Sequence, residues 1–454
     1  MKSQLTKLDK TFYPMILALK DFQNEVNLSS EVEDYAFSVE RNDGYTYTHK
    51  IKILKGNPNR NFEILERLIK SVLWVVGGFK LSLGGNETLS KLLKRAFSKE
   101  GLRKFDVAFM ERAFEQPFEV RLCSFNEVPE SKQMSLPVGR NLDGCRIGFD
   151  AGGSDRKVSA VVDGEVVYSE EVVWLPKVNT DPHYHYDGIL DSLKRAASKM
   201  PRVDAIGVSS AGIYIDNLVR VASLFLKVSD EDFNKYVKDI YIRAAKEIGD
   251  VPLEIANDGD VTALAGSIDL NDNNVLGIAM GTSEASGYIN AEGNLNGWLS
   301  ELAFAPVDFS KDAMVDEWSG DYGCGVKYFS QDSVIKLAKF AGIELAEQLT
   351  PAEKLKVVQK LMAQKDPRTK EIFETIGVYL GYTLPFYAMF YDIKHILILG
   401  RVTSGEAGTI IIEKAKEVLE KEFKGLSHLN LILPDEANRR VGQSIAAASL
   451  PKLK

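Results

Sequence analysis

Asp150 closes an apolar run, CRIGFD, and Gly152, Gly153 and Ser154 follow before a second strand-like run begins. An acid beside a Gly-Gly-Ser turn suits phosphate chemistry. Glycine leaves the backbone bare for close approach, and successive N–H groups in such a turn form an anion-binding nest. A carboxylate at the strand end can hold magnesium, directly or through water, because that ion takes carboxylate and phosphate oxygens. The plain alternative is a tight hairpin whose glycines serve only its geometry. Further on, Asn257 ends the run PLEIAN, and Asp258 opens a helix of small residues. Asp258 suits a general base that takes a proton from a hydroxyl, with Asn257 hydrogen-bonding the same substrate. The alternative is an Asx cap on the helix, which Asp258 or Asp260 can also serve. Gly281, Thr282 and Ser283 lie in a second strand-turn-strand, GIAMGTSEASGYIN. Its N–H groups and two hydroxyls can meet phosphate. Gly400 ends the buried run HILILG, and a strand end of that kind can floor a nucleotide pocket.

These residues need strands that end together. From Arg146 the sequence supplies them: CRIGFD, RKVSAVVD, EVVYSEEVVW, VDAIGVSS, PLEIAN, VLGIAMG and ASGYIN alternate with the helical stretches YDGILDSLKRAASKM, DEDFNKYVKDIYIRAAKEIG and GDVTALAGSI. Beyond Gly320 the chain turns mostly helical. It closes with HILILG, a helix, the strand LNLIL and a last helix. Alternating strands and helices predict an α/β fold with parallel sheets. A hairpin with a small-residue turn occurs twice, at 146–174 and 274–290, so two similar halves facing each other would form a cleft. Residues 1–128 read as a small α+β region. It has a hairpin turning at Asn42-Asp43-Gly44, two helical stretches (FEILERLIKSVLWVV and ETLSKLLKRAFS) and the strand FEVRLCSF. Pro129–Gly144 reads as a linker.

The 454 residues are 45% hydrophobic with a net charge of −8. That is globular composition, and the acidic balance argues against general nucleic-acid binding. The charge divides: residues 1–140 carry 22 Lys and Arg against 18 Asp and Glu, while the remainder is acidic, which supports a boundary near 140. No apolar run reaches the ~20 residues of a membrane span, and no signal peptide is evident. Three scattered cysteines, Cys123, Cys145 and Cys324, fit a reducing cytoplasm. His183 and His185, in DPHYHYDG, are expected to face solvent in a polar loop. Lys91–Lys104 is expected to be a solvated basic helix face, and the aromatic run LPFYAMFYDI core.

The order of the four motifs resembles the actin-like ATPase and sugar-kinase superfamily, and within it the ROK family (repressors, open reading frames and sugar kinases). FDAGGSDRKVSAVVDG is similar to that family's D-x-G-G-T hairpin. ANDGDVTALAG resembles its E-N-D-A-N helix start, and MGTSEASGYINAEGNLNGWLSELAF its second phosphate hairpin with the G-E-x-G-H that follows. AIGVSSAGIYID resembles the strand and Pro-Gly loop near the sugar. The resemblance covers about residues 145–454 and implies a two-lobed actin-like ATPase (ribonuclease H-like) α/β fold with an extra N-terminal α+β domain. The implied domains are 1–140, 145–270 (first lobe, first hairpin) and 271–454 (second lobe, second hairpin and adenosine part).

The resemblance further implies ATP-dependent phosphorylation of a hexose or hexose-derivative hydroxyl, with Mg-ATP held between two lobes. Asp150 would orient magnesium, and Gly152, Gly153, Ser154, Gly281, Thr282 and Ser283 would meet phosphates. Gly400 would lie near the adenosine, Asn257, Glu301 and Gly212 would contact the sugar, and Asp258 would be the base. A cytoplasmic homodimer that binds neither membrane nor nucleic acid is expected. Four departures stand out. Phe304 replaces the His after the sugar-binding Glu. Cys324 alone remains of a Cys-rich zinc loop, so no structural zinc is expected. Glu284 follows the second turn, where a negative charge would repel triphosphate, and Arg401 stands where a second Gly is common. The larger carbohydrate-kinase family would make Asp260 the base, though its first hairpin comes earlier. A ROK sensor or transcriptional regulator is the competing reading, but residues 1–140 show no clear helix-turn-helix. A degenerate kinase is the third.

Overall fold

The computed structural model describes residues 5–133, 135, 137–434 and 436–453. They divide into two units. The first is Met1–Met134, Ile278–Ser286 and Gly297–Leu433; the second is Ser135–Gly277, Gly287–Asn296 and Pro434–Lys454.

In the first unit, β1 (Val32–Glu40), β2 (Thr46–Leu54), β3 (Lys80–Gly84) and β4 (Glu119–Cys123) form a sheet of order β2-β1-β3-β4. β1 and β2 are the expected hairpin, and Asp43 and Gly44 take the positive φ of 59° and 67° that its turn demands. The helix Pro58–Val75 starts at Asn57, whose side chain accepts the Arg60 N–H, and buries Ile64, Leu68, Val72 and Leu73. The helix Glu87–Ala96 buries Leu89 and Leu93 and leaves Lys91, Lys94 and Arg95 in solvent as expected, but it ends before the rest of the basic segment, and Arg103 is buried in ion pairs with Glu66 and Asp321 rather than solvated.

The second unit is built on β5 (Cys145–Ala151), β6 (Asp155–Val162), β7 (Glu165–Val173), β8 (Ala205–Ser210) and β11 (Leu253–Asn257), in the order β11-β8-β5-β6-β7. β5, β8 and β11 are parallel, and β5-β6-β7 is an antiparallel meander. β5 and β8 are buried along their whole length, as central parallel strands are. β9 (Ile213–Ile215) and β10 (Leu218–Val221) make a small hairpin that follows β8. Gly148 and Gly207 pair across β5 and β8. A Cβ on either would come within 2 Å of the backbone of the helix Glu436–Ala448, so this bare strip lets that helix lie on the sheet. The stretch after Asp230, expected as one helix, is broken by a π turn at Phe233–Val237 before the helix Ile240–Lys246.

The remaining strands, β12 (Val275–Met280), β13 (Glu284–Ile289), β14 (His395–Leu399) and β15 (Asn430–Ile432), form a sheet of order β13-β12-β14-β15. Its long helices are Pro367–Tyr387 and Ala407–Glu422. The aromatic run expected as core supplies buried Phe386, Tyr387 and Tyr391. The linker is pinned at both ends, by Lys132 paired with Thr46 and by Gly139 and Asn141 donating to Leu450 and Ser449. Among the described residues no helix is long and apolar enough to cross a membrane.

Candidate active site

The parallel register brings the acids together. Asp150 pairs with Ser209 across β5 and β8, and Asn257 pairs with Ser210 across β11 and β8. All three strands therefore finish at one edge, the edge where open α/β sheets take their ligands. The Ser209 hydroxyl donates to Asp150 Oδ1 at 2.8 Å. Burial pushes the Asp150 carboxyl up to about 6; the Ser209 bond and Lys157 oppose this, and the charges of Asp258 and Asp155 add to it.

Asn257 is the cap of the helix Asp258–Leu270: its Oδ1 accepts the Gly259 N–H at 2.7 Å. Its Nδ2 donates to the Gly212 carbonyl at 2.7 Å. Gly212 has φ 137°, and a Cβ there would lie 2.4 Å from the Val221 carbonyl oxygen. Asp258 Oδ1 accepts the Gly259 N–H at 3.0 Å. Burial raises the Asp258 pKa, while backbone hydrogen bonding and the Lys177 charge hold it down. The residue is nonetheless partly exposed. Asp260 differs: its Oδ1 accepts the Tyr288 N–H at 3.2 Å, and burial, with Asp258 adding, pushes it up to about 7.

The Gly152–Ser154 turn is braced from β7's end. Trp174 donates its indole N–H to the Gly152 carbonyl at 2.8 Å and its backbone N–H to the Ser154 carbonyl at 3.2 Å. Lys177 lies against Gly153: a Cβ on that glycine would sit 2.8 Å from the Lys177 Nζ. The histidines depart from expectation. DPHYHYDG is the start of the helix Pro182–Ala197, with Asp181 as cap and Pro182 in the first turn. His183 is exposed as expected, but His185 is fully buried. Its Nε2 faces the carbonyls of Pro176 and Leu224 at 3.0 and 3.1 Å, and its Nδ1 faces that of Asp181 at 3.0 Å. Sequence reasoning also missed a buried hydroxyl cluster. Tyr214 donates to Ser210 at 2.6 Å, and Ser210 and Tyr241 hydroxyls lie 2.9 Å apart. Burial drives the Tyr214 hydroxyl far up, and Asp258 adds to the shift.

The other expected residues belong to the first unit. Gly281 donates its N–H to the Ser283 carbonyl at 2.9 Å, and Thr282 and Ser283 are exposed. Gly400, at φ 102°, has a packing reason of its own: a Cβ would lie 2.3 Å from the Met280 carbonyl oxygen. Glu284 does not threaten a phosphate with its charge. Its carboxyl is buried against Gly325, and burial, with the Glu301 charge adding, pushes it up to about 8. The Tyr387 hydroxyl is close enough to oppose that shift, yet neither it nor either carboxyl oxygen meets hydrogen-bond geometry.

Glu301 donates its backbone N–H to the Trp74 carbonyl at 2.9 Å. Phe304 is core, with its ring 4.4 Å from Trp74, 5.9 Å from Phe105 and 5.3 Å from Trp318. Cys324 is buried beside Lys70, 3.8 Å away. Among the described residues no group of three or more His, Cys, Asp or Glu is arranged to hold a metal ion.

No protein-family model matches the chain, and no curated protein matches it. Solved structures do. The ROK hexokinase of Thermus thermophilus is similar with a TM-score of 0.52 at 17% identity, over 67% of this chain and 97% of that one. A ROK family transcriptional regulator, a homolog of the E. coli MLC protein, gives 0.50 at 17% identity, over 68% of this chain and 79% of that one. With parallel β5, β8 and β11 and their acids at one edge, the chain has the α/β fold of ROK sugar kinases and regulators.

Proposed function

We propose that the chain is an ATP-dependent sugar kinase of ROK type. Asp258 takes the proton from a hydroxyl of a hexose or hexose derivative. The freed oxygen attacks the γ-phosphorus of ATP in line, the bond to the β-phosphate oxygen breaks, and ADP leaves. One observation carries this reading. Asp150 and Asp258 lie at the C-terminal ends of β5 and β11, the two parallel strands that flank β8, with the bare glycine turn following β5, and burial raises both carboxyls. A base held above the ordinary carboxylate range is suited to proton transfer near neutral pH.

Asp150 also fits magnesium. It is a buried carboxylate whose one hydrogen bond among the described residues comes from Ser209, and such a group favours a cation. When bound, magnesium neutralises phosphate oxygens. Gly152, Gly153 and Ser154 meet phosphate through backbone N–H groups, and Gly281, Thr282 and Ser283 do so from their own turn. Gly400 lies near the adenosine. Asn257 keeps one amide hydrogen for a sugar hydroxyl, with Gly212 and Glu301 as further sugar contacts. The regulator shares the fold, but sensing needs no raised acid beside a phosphate turn.

The test is ADP release from Mg-ATP across hexoses, amino sugars and N-acetyl sugars, with Asp258→Asn alongside. Sugar-dependent release is expected, reduced about 10²–10⁴-fold in the variant, the usual worth of a general base. Sugar binding without release by the wild type would replace the kinase with the sensor.

A further inference from the structure

We infer that Lys177 is a phosphate-binding residue of this site, holding the terminal phosphates of ATP over Gly153. The inference rests on the kinase reading above and adds a residue that no motif in the sequence marks.

Geometry comes first. The Lys177 ammonium occupies the space a side chain on residue 153 would fill: a Cβ there would lie 2.6 Å from its Cε and 2.8 Å from its Nζ. Gly153 therefore clears room for a cation as well as bending the hairpin. The ammonium is exposed and makes no ion pair or hydrogen bond among the described residues. Its charge still reaches Asp258, where it opposes the effect of burial. A cation that touches the phosphate turn and is felt by the base sits where charge develops during phosphoryl transfer.

The turn that presents Lys177 is built, not loose. Lys177 is the middle residue of the 3-10 turn Pro176–Val178, and Pro176 is buried. Buried His185 faces the Pro176 carbonyl with Nε2 and holds the adjoining segments through Leu224 and Asp181. The Tyr184 hydroxyl accepts the Leu175 N–H at 2.9 Å. Three residues before Lys177, buried Trp174 binds the carbonyls of Gly152 and Ser154. One assembly thus fixes the glycine turn and the lysine relative to each other. Because those carbonyls are turned to Trp174, they are kept from pointing at an incoming anion. Lysine suits the task as a compact point charge with three donors. Its exposure lets it stay hydrated until a phosphate arrives.

The experiment is calorimetric binding of ATP, ADP and AMP, with magnesium, to wild type, Lys177→Met and Lys177→Arg. The exposed side chain makes both variants fold as the wild type does, which thermal melting checks. Lys177→Met is expected to weaken ATP at least tenfold, ADP less and AMP not at all, with Lys177→Arg restoring most of the loss. ATP binding unchanged in Lys177→Met, or AMP weakened as much as ATP, would overturn the role of Lys177 and leave the kinase reading standing. A wild type that binds no ATP would overturn both.

Discussion

Asp321 and Asp150 are each about 7% exposed, yet the chain treats the two buried carboxylates in opposite ways. Asp321, in the first unit, is ringed by cations: Arg67 Nη1 at 2.6 Å, Arg103 Nη1 at 2.7 Å and Lys70. Those charges hold its pKa well below the usual carboxylate range despite burial. Arg103 is shared with Glu66, and Lys70 reaches Asp106 at 3.5 Å. Asp150, in the second unit, has a serine hydroxyl, the charge of Lys157 with no ion pair to it among the described residues, and two acids, Asp258 and Asp155, within electrostatic reach; burial prevails and its pKa rises to about 6. Depth is therefore not what separates the two regions; compensation is. A buried acid with its cations in place is structure, and removing it strands the partners. A buried acid left short of cations is poised to gain one, or to take a proton, and such groups gather at functional sites.

The largest effect that tests this contrast is on stability. Asp321→Ala takes from buried Arg67 its ion pair and leaves Arg103 and Lys70 with only Glu66 and Asp106, and is expected to cost about 3–5 kcal/mol, read by denaturant unfolding at pH 7. Because a depressed pKa contributes stability above the unfolded value, the wild type should also lose that contribution as pH falls below about 4. A variant as stable as the wild type would break the comparison.

Glu284 has the opposite sign. Its folded pKa, about 8, lies above the unfolded one, so the folded state holds the proton between them. Stability should fall as pH rises from 6 to 8, by roughly 1–3 kcal/mol. Glu284→Gln should flatten that slope, and a slope unchanged in the variant would contradict the buried neutral acid.

The smallest effect is at the site itself. Asp150→Asn and Asp258→Asn are expected to leave stability at pH 8 unchanged or to raise it by about 1 kcal/mol, since each removes an under-compensated charge, buried at Asp150 and partly exposed at Asp258. Destabilisation on the scale of Asp321→Ala would mean that these acids are structural too.

Much of the fold was legible. Strand runs alternating with helical ones marked β5, β8 and β11; β5 and β8 are central and buried along their length, while β11 is the half-buried edge strand. The turn at Asp43-Gly44 was legible because hairpin geometry admits few residues. β9 and β10 were read as a strand and loop: segments of three and four residues are too short to show a period. Their turn signal was nonetheless present, since Asp216 and Asn217 take positive φ of 56° and 59°. His185 was misplaced although Asp181-Pro182 spells a helix start.

At the site, Asp150 stood out because it ends a strand-like run, and Asp258 because it opens a helix directly after one. Lys177 did not, because a cation that reaches a turn 24 positions earlier leaves no pattern in the sequence. The departure at Phe304 acquires a reason only in three dimensions. Trp74, Phe105 and Phe109 surround it, and Lys70 stands beside Cys324. Residues that precede the ROK-like part thus fill the ground where the resemblance implies a His and a zinc loop.

The most direct measurement of the central claim is the pH dependence of kcat/KM for sugar phosphorylation by the wild type, which reports the base in the free enzyme. With Asp258 raised by burial, activity is predicted to climb with pH through one acid limb whose midpoint lies above the ordinary aspartate value of about 4. Activity flat down to pH 4, or a limb below it, would show Asp258 to be a compensated acid like Asp321 and would contradict the account.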